Sequence, residues 1–153
     1  MLLKSLSNGL STLGVGHLPK APGTWGSLLA IIIWWAIMPQ SIGLQAVLIL
    51  LAFFVGWPAT YYYEKLHNRH DPKEVVVDEL IGMWLTLIAA PKALGIYVLG
   101  FLFFRFFDIK KPFPIGWIDK NTNSALGTIL DDVVAGIFAF LVLQASLYIY
   151  TLL

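Results

Sequence analysis

Hydrophobic residues occur along this chain in long blocks, and the polar residues are gathered between the blocks. Five blocks stand out, at residues 27–38, 42–63, 75–90, 93–107 and 129–153. A helix rises about 1.5 Å per residue and a hydrocarbon core is about 30 Å thick, so the second and last blocks are long enough to cross a membrane. The first block is too short to cross it upright. The pattern predicts an all-α protein with about five membrane-associated helices, some of them short or re-entrant.

Prolines and polar loops separate the predicted helices. Pro39 closes the first block, and Pro112 prevents the fourth from continuing. Pro58 lies inside the second block, where it predicts a kink rather than an end. The polar segments 64–74 and 108–128 are predicted to be loops.

The segment ahead of the first block, residues 1–26, is rich in glycine and serine. Five glycines and prolines lie between Gly14 and Gly23, which predicts a compact loop and not a helix. His17 lies within this loop. The loop is either a phosphate-binding cradle of backbone N–H groups or a tight turn before the first helix, and the sequence leaves both open.

The composition places the predicted helices in a membrane. Of 153 residues, 58% are hydrophobic and only 12% are charged, too few to cover a soluble globule of this size. The net charge of +1 argues against a nucleic-acid partner, and the absence of cysteine excludes disulfides and thiolate metal sites. We therefore expect one domain, residues 1–153, that forms a polytopic helix bundle, and no protein partner is evident.

The distribution of charge predicts how the helices are oriented. If the first helix leaves the cytoplasm and every later helix reverses direction, nine of the ten lysines and arginines lie on the cytoplasmic side and only Lys92 lies opposite. This is a strong positive-inside bias. The same arrangement brings three acidic helix ends to the cytoplasmic side, namely Asp78 with Glu79, Asp108, and Asp131 with Asp132 in the first turn of the last helix.

Acids brought together in this way favour metal-assisted chemistry on a phosphate. Neighbouring carboxylates repel one another unless a cation neutralises them, and Mg²⁺ prefers oxygen ligands. Arg105 offers a planar fork for phosphate oxygens, and Lys110 and Lys111 act as point charges. Gly82 and Gly136 follow the acids and allow two helix backbones to approach closely. A phosphorylated lipid headgroup is the substrate class that suits this interfacial site.

Each cluster also has a plain structural explanation. Acids in a first turn stabilise a helix through its dipole by about 0.3–1 kcal/mol each. Arg105 and Asp108 are spaced to form an intrahelical ion pair, and the adjacent lysines are typical positive-inside anchors. A small proton- or ion-coupled carrier would also use intramembrane acids, but it would need them near the bilayer midplane rather than at helix ends. His67 and His70 are expected on the surface.

Four segments together resemble one known family. They are GVGHLPKAPGTWGSLLA, DPKEVVVDELIGMW, FRFFDIKKPFPIGWID and LGTILDDVVAGIFA, and in this order and spacing they resemble the phosphatidylglycerophosphatase A family. The resemblance implies an all-helical, Mg²⁺-dependent phosphatase that converts phosphatidylglycerophosphate to phosphatidylglycerol and phosphate. It also implies a step of phospholipid biosynthesis at the bacterial inner membrane, and the distribution of charge predicts that the active site faces the cytoplasm.

The resemblance and the residue chemistry together predict the site. The expected catalytic and metal-binding acids are Asp78, Glu79, Asp108, Asp131 and Asp132. The expected substrate-binding residues are His17, Lys20, Thr24, Arg105 and Lys111. Which acid serves as general base is left open. Direct attack by water is favoured over a phospho-enzyme, because the DxDx(T/V) pattern of aspartyl-phosphate phosphatases is absent.

Overall fold

The structure, a computed structural model, describes residues 2–37 and 39–152. Its regular secondary structure within these ranges is helical, which confirms the predicted all-α class. The seven α-helices are α1 (Leu2–Thr12), α2 (Pro22–Ile37), α3 (Ile42–His67), α4 (Val77–Leu87), α5 (Leu94–Lys110), α6 (Ile115–Asn121) and α7 (Ala125–Leu152). The sequence predicted about five. The predicted ends of the first and last blocks, Met38 and Leu153, lie outside the described residues.

Helix α4 lies at the centre of the fold, between α2 and α7. Its Trp84 donates a hydrogen bond from Nε1 to the Ala30 carbonyl of α2 at 3.0 Å. On the other side, a Cβ on Gly136 of α7 would lie 2.5 Å from the carbonyl oxygen of Gly82. Only glycine permits so short a separation between two helix backbones. The close approach that the small residues predicted is therefore confirmed.

Helices α1 and α6 were not predicted, and tertiary contacts explain why they form. Glycine, serine and asparagine in α1 have low helix propensity. The helix is nevertheless held by a hydrogen bond from the Ser7 hydroxyl to the Ala59 carbonyl at 2.9 Å, and by one from the Val76 N–H to the Ser11 carbonyl at 2.8 Å. Helix α6 is a short helix that packs on α7 inside the segment predicted as the loop 108–128.

The prediction that Gly14 to Gly23 excludes a helix is also wrong, since a short 3-10 helix spans Val15–His17 and α2 begins at Pro22. Proline is well suited to the first position of a helix, where its missing N–H would have no intrahelical partner. Ala21, just before α2, takes the left-handed conformation with φ 50°.

Several further boundaries differ from the predictions, and α5 continues to Lys110, into the segment predicted as the loop 108–128. Helix α3 continues to His67, and Pro58 lies inside it. Helix α7 begins at Ala125 rather than at residue 129, because the Ser124 side chain accepts a hydrogen bond from the Gly127 N–H and caps the helix. Asp131 is therefore the seventh residue of α7, beyond the first turn, and the helix dipole no longer explains its position.

Two helices, α3 and α7, are long and apolar enough to cross a membrane by length and composition, and α2 is a shorter apolar helix. Helix α3 exposes large hydrophobic side chains along much of its length, among them Leu50, Phe54 and Tyr61. These features favour association with a membrane.

Candidate active site

A cavity of about 280 Å³ lies at one end of the helices. We call this end of the helices the acid end. The beginnings of α2, α4 and α7, the end of α5 and the loop before α4 surround it. Its charged lining residues are Asp71, Lys73, Asp78, Glu79, Arg105, Asp108, Lys111, Asp131 and Asp132. The three acidic clusters do converge on one place, as the sequence predicted.

Three of these carboxylates form the tightest group. Oxygen atoms of Asp78, Glu79 and Asp132 all lie within 4.8 Å of one another. Asp78 and Asp132 are buried, at 6% and 5% exposed. One oxygen of Glu79, Oε2, is buried without a hydrogen-bond partner among the described residues. Buried carboxylates at this separation repel one another, so the group suits a divalent cation with oxygen ligands.

Arg105 and Asp108, on the last turns of α5, line the same cavity. Arg105 Nη1 donates to Asp108 Oδ2 at 2.5 Å, so the intrahelical ion pair considered from the sequence is present. Arg105 Nε is buried and finds no acceptor within the described part of the chain. The guanidinium therefore retains one N–H that no group in the described residues accepts. Gly23 of α2 packs against it, where a Cβ would lie 3.0 Å from Arg105 Nη1.

Lys111 connects the cavity to α6. Its Nζ donates to Asp131 Oδ2 at 2.5 Å and to Asp119 Oδ1 at 2.6 Å. Burial lowers the pKa of the Lys111 ammonium, but the hydrogen bonds to Asp119 and Asp131 outweigh burial and raise this pKa above its ordinary value. The preference for Lys111 over Lys110 agrees with the geometry, because Lys110 is exposed and does not line the cavity.

The remaining predicted substrate-binding residues lie outside the cavity. His17 lines a neighbouring pocket of about 330 Å³ that shares Pro22 and Lys73 with the acid end. Lys20 is exposed, and Thr24 is half-buried in the first turn of α2. The structure thus brings the acids, Arg105 and Lys111 together and leaves these three residues at or beyond the edge.

Other polar residues of the cavity were missed from the sequence. Asp71 and Lys73 come from a loop whose composition is that of an ordinary solvated segment, so nothing in it signals a site. Asp119, which does not line the cavity but accepts a hydrogen bond from Lys111, belongs to the unpredicted helix α6. Thr128 could have been identified from the sequence, because it precedes Asp131 by one helical turn and therefore lies on the same face of α7.

Comparison with known proteins gives a consistent result. A family model described as phosphatidylglycerophosphatase A matches residues 10–147, which include all three acidic clusters. A phosphatidylglycerophosphatase A of Escherichia coli (strain K12) is 38% identical over 127 residues, which cover 82% of this chain and 74% of the relative. One of Haemophilus influenzae is 36% identical over 151 residues, covering 94% and 92%.

A third relative carries a different name. A protein of Bacteroides thetaiotaomicron called a putative phosphatidylinositol-3-phosphatase is 37% identical over 144 residues, which cover 89% of each chain. No solved structure matches this chain.

Proposed function

Because this chain belongs to the phosphatidylglycerophosphatase A family, we propose that it hydrolyses phosphatidylglycerophosphate to phosphatidylglycerol and inorganic phosphate. It is a phosphatase of the class that acts on a phosphate monoester. The observation that carries the proposal is the group of Asp78, Glu79 and Asp132, which lines one cavity together with Arg105 and Lys111. We take the whole chain, residues 1–153, as one catalytic domain.

We propose Mg²⁺ as the cofactor, held by Asp78, Glu79 and Asp132. The donor set fits a hard cation, since all three residues offer carboxylate oxygens and Glu79 Oε2 has no protein partner among the described residues. Asp108 and Asp131 lie on the same cavity and complete the predicted set of acids. When bound, such an ion supplies a Lewis acid that polarises the phosphoryl group and lowers the pKa of water.

The chain's own residues then have separable roles. Arg105 and Lys111 bind phosphate oxygens and compensate the charge that develops on them. Asp131 is suited to accept the proton of the attacking water, because Lys111 holds its Oδ2 while its Oδ1 is buried and unpaired within the described residues. The P–O bond to the lipid glycerol breaks as water attacks, and the same proton returns to the departing glycerol oxygen.

The headgroup needs its own test, because the Bacteroides relative is named for a phosphoinositide. Phosphatidylglycerophosphate and phosphatidylinositol 3-phosphate both carry a phosphate monoester on a glycerophospholipid. Phosphate release from purified protein should be measured with each lipid, with Mg²⁺ and then with chelator. We expect release from phosphatidylglycerophosphate that chelator abolishes. Release from neither lipid would overturn the proposal, and release from phosphatidylinositol 3-phosphate alone would overturn the assigned substrate.

We further propose that the protein crosses the bacterial inner membrane several times with the acid end facing the cytoplasm. The long apolar helices α3 and α7 and the nine-to-one distribution of cations support this arrangement. Single cysteines at Asn68 and Asn121 should both be labelled only by reagents that reach the cytoplasm. Labelling of the two from opposite sides would contradict it.

A further inference from the structure

Glu64 lies in the last turns of α3, outside the acid cavity, and its side chain is only 13% exposed. A single oxygen of this side chain, Oε1, contacts three donors. It accepts hydrogen bonds from the Asp71 N–H and the Thr128 hydroxyl, each at 3.1 Å, and lies 3.3 Å from Nδ1 of His70. These donors belong to two different segments, the loop before α4 and the helix α7.

The residues that Glu64 joins form a wall of the catalytic cavity. Asp71 and Thr128 line the cavity on one side and a smaller chamber of about 110 Å³ on the other. Thr128 precedes Asp131 and Asp132 by one turn of α7, so its position sets the position of both acids. The contacts of Glu64 therefore link the loop to the turn of α7 that precedes these acids.

The end of helix α3 does not require this side chain. Asn68 takes the left-handed conformation, with φ 48°, and its N–H closes the helix on the backbone carbonyl of Glu64. A carboxylate near a helix C-terminus is also unfavourable toward the helix dipole. The Glu64 carboxylate therefore destabilises the end of its own helix. Its contacts with Asp71 and Thr128 are the interactions that explain a glutamate at this position.

We propose that Glu64 is a positioning residue of the phosphatase reaction, whose Oε1 ties the Asp71 loop to Thr128 and so holds the acids of α7 at their working distance. The proposal rests on the proposed function for its kinetic test. It also makes a structural claim that can be tested without any substrate.

The first test compares Glu64→Ala with Glu64→Gln in the full-length purified protein. Displacement of a reacting group by about 1 Å costs up to about 100-fold in rate, so we expect Glu64→Ala to lower kcat about 10- to 100-fold with KM for the lipid nearly unchanged. Glu64→Gln keeps an acceptor oxygen in place and should restore kcat to within about threefold of wild type. Unchanged kcat in Glu64→Ala, or equal loss in both variants, would overturn the proposal.

Hydrogen exchange of the Asp71 amide supplies the readout that does not depend on activity. In Glu64→Ala this amide loses its acceptor and should exchange faster, while amides in the middle of α7 keep their protection. If exchange at Asp71 does not change, the proposal fails even where the phosphatase activity is established. If wild type releases no phosphate but exchange changes as expected, the proposed function fails and the structural claim stands.

Thr128→Val tests the same contact should Glu64→Ala not fold. It removes a single hydroxyl from the wall and should lower kcat by several-fold in wild type, and by about as much in the Glu64→Gln background, where the acceptor oxygen is kept. Thr60→Val is the matched control, because Thr60 is a buried threonine of α3 whose hydroxyl has no partner in the described chain. Equal kcat for Thr128→Val and Thr60→Val would overturn the proposal.

Discussion

The two ends of the helices differ in whether their buried polar groups have hydrogen-bond partners. At the end away from the acids, Gln45 is only 8% exposed, yet both ends of its amide are bonded. Its Nε2 donates to the Pro39 carbonyl at 2.8 Å, and its Oε1 accepts from the Ala89 N–H at 3.0 Å. At the acid end, Glu79 Oε2 and Asp131 Oδ1 are buried without partners among the described residues.

This difference separates a structural polar group from a functional one. An unpaired buried polar atom costs about 1–3 kcal/mol, and more when the group is charged. Gln45 avoids that cost by joining the start of α3 to the turn after α4. At the acid end the free-energy cost of the unpaired atoms remains, and a bound cation and a phosphate would offset it. Unpaired hydroxyls also occur outside the cavity, as at Thr60, so the unpaired carboxylates that line the cavity, Glu79 and Asp131, are the atoms that indicate the site.

The largest expected effect comes from Asp132→Asn. The substitution keeps the shape of the side chain but removes a charge from the proposed metal group, so turnover should fall about 1,000-fold, equal to about 4 kcal/mol. The protein should stay folded, and relief of repulsion should raise its melting temperature in the absence of metal. Phosphate release and thermal unfolding check both expectations. Near-normal turnover would show that Asp132 is not part of the catalytic site.

A somewhat smaller effect is expected for Arg105→Ala. Loss of the guanidinium should raise KM for the lipid about 10- to 100-fold, since a hydrogen bond to a charged group contributes about 1.5–3 kcal/mol. Its Mg²⁺ requirement should not increase. Asp78→Asn should show the opposite behaviour, with turnover partly restored by more Mg²⁺. Mg²⁺ titrations at two lipid concentrations distinguish them, and equal rescue of both variants would contradict the division of roles.

At the opposite end, Gln45→Leu should affect stability alone. The substitution leaves the Pro39 carbonyl and the Ala89 N–H without their partner, so the free energy of unfolding should fall by about 1–3 kcal/mol. Turnover of the folded protein should equal that of wild type. Denaturant unfolding and phosphate release measure the two quantities. A large loss of turnover with unchanged stability would remove the distinction between the two ends.

The smallest effects concern two alanines in the left-handed conformation, Ala21 at the acid end with φ 50° and Ala89 opposite with φ 58°. Glycine relieves about 1 kcal/mol of backbone strain at such a position, partly offset by greater freedom of the unfolded chain. Ala21→Gly and Ala89→Gly should therefore change stability similarly and slightly. Only Ala21→Gly should lower turnover, by about twofold to threefold, because Ala21 borders the cavity. Equal turnover in both variants would argue against a role for this conformation.

The sequence predicted the acid end better than it predicted the helices. Charged residues inside or at the ends of apolar blocks are costly, so Asp78, Asp108 and Asp132 were visible without any structure. Helix α1 was not visible, since Ser7 and Ser11 join it to the rest of the chain through contacts between residues far apart in sequence.

Sequence analysis missed the functional candidates in the polar segments for a related reason. Glu64, Asp71 and Asp119 have the composition of solvated surface, and only their packing against α7 or Lys111 distinguishes them. Hydrophobic periodicity carries no information about such contacts. Cap chemistry at Ser124 could have corrected the start of α7, because a serine followed by an apolar run is a recognised start signal for a helix.

Metal binding by the acid end is tested most directly by the change in melting temperature that Mg²⁺ produces in wild type, Asp132→Asn and Gln45→Leu. A ligand that binds only the folded protein stabilises it by about 2.7 kcal/mol at 100 times its Kd. Wild type should therefore melt higher with Mg²⁺ than with chelator. Gln45→Leu should start lower but gain as much, and Asp132→Asn should gain little. An equal gain in Asp132→Asn and wild type would contradict the claim that the buried carboxylates of the acid end hold the cation.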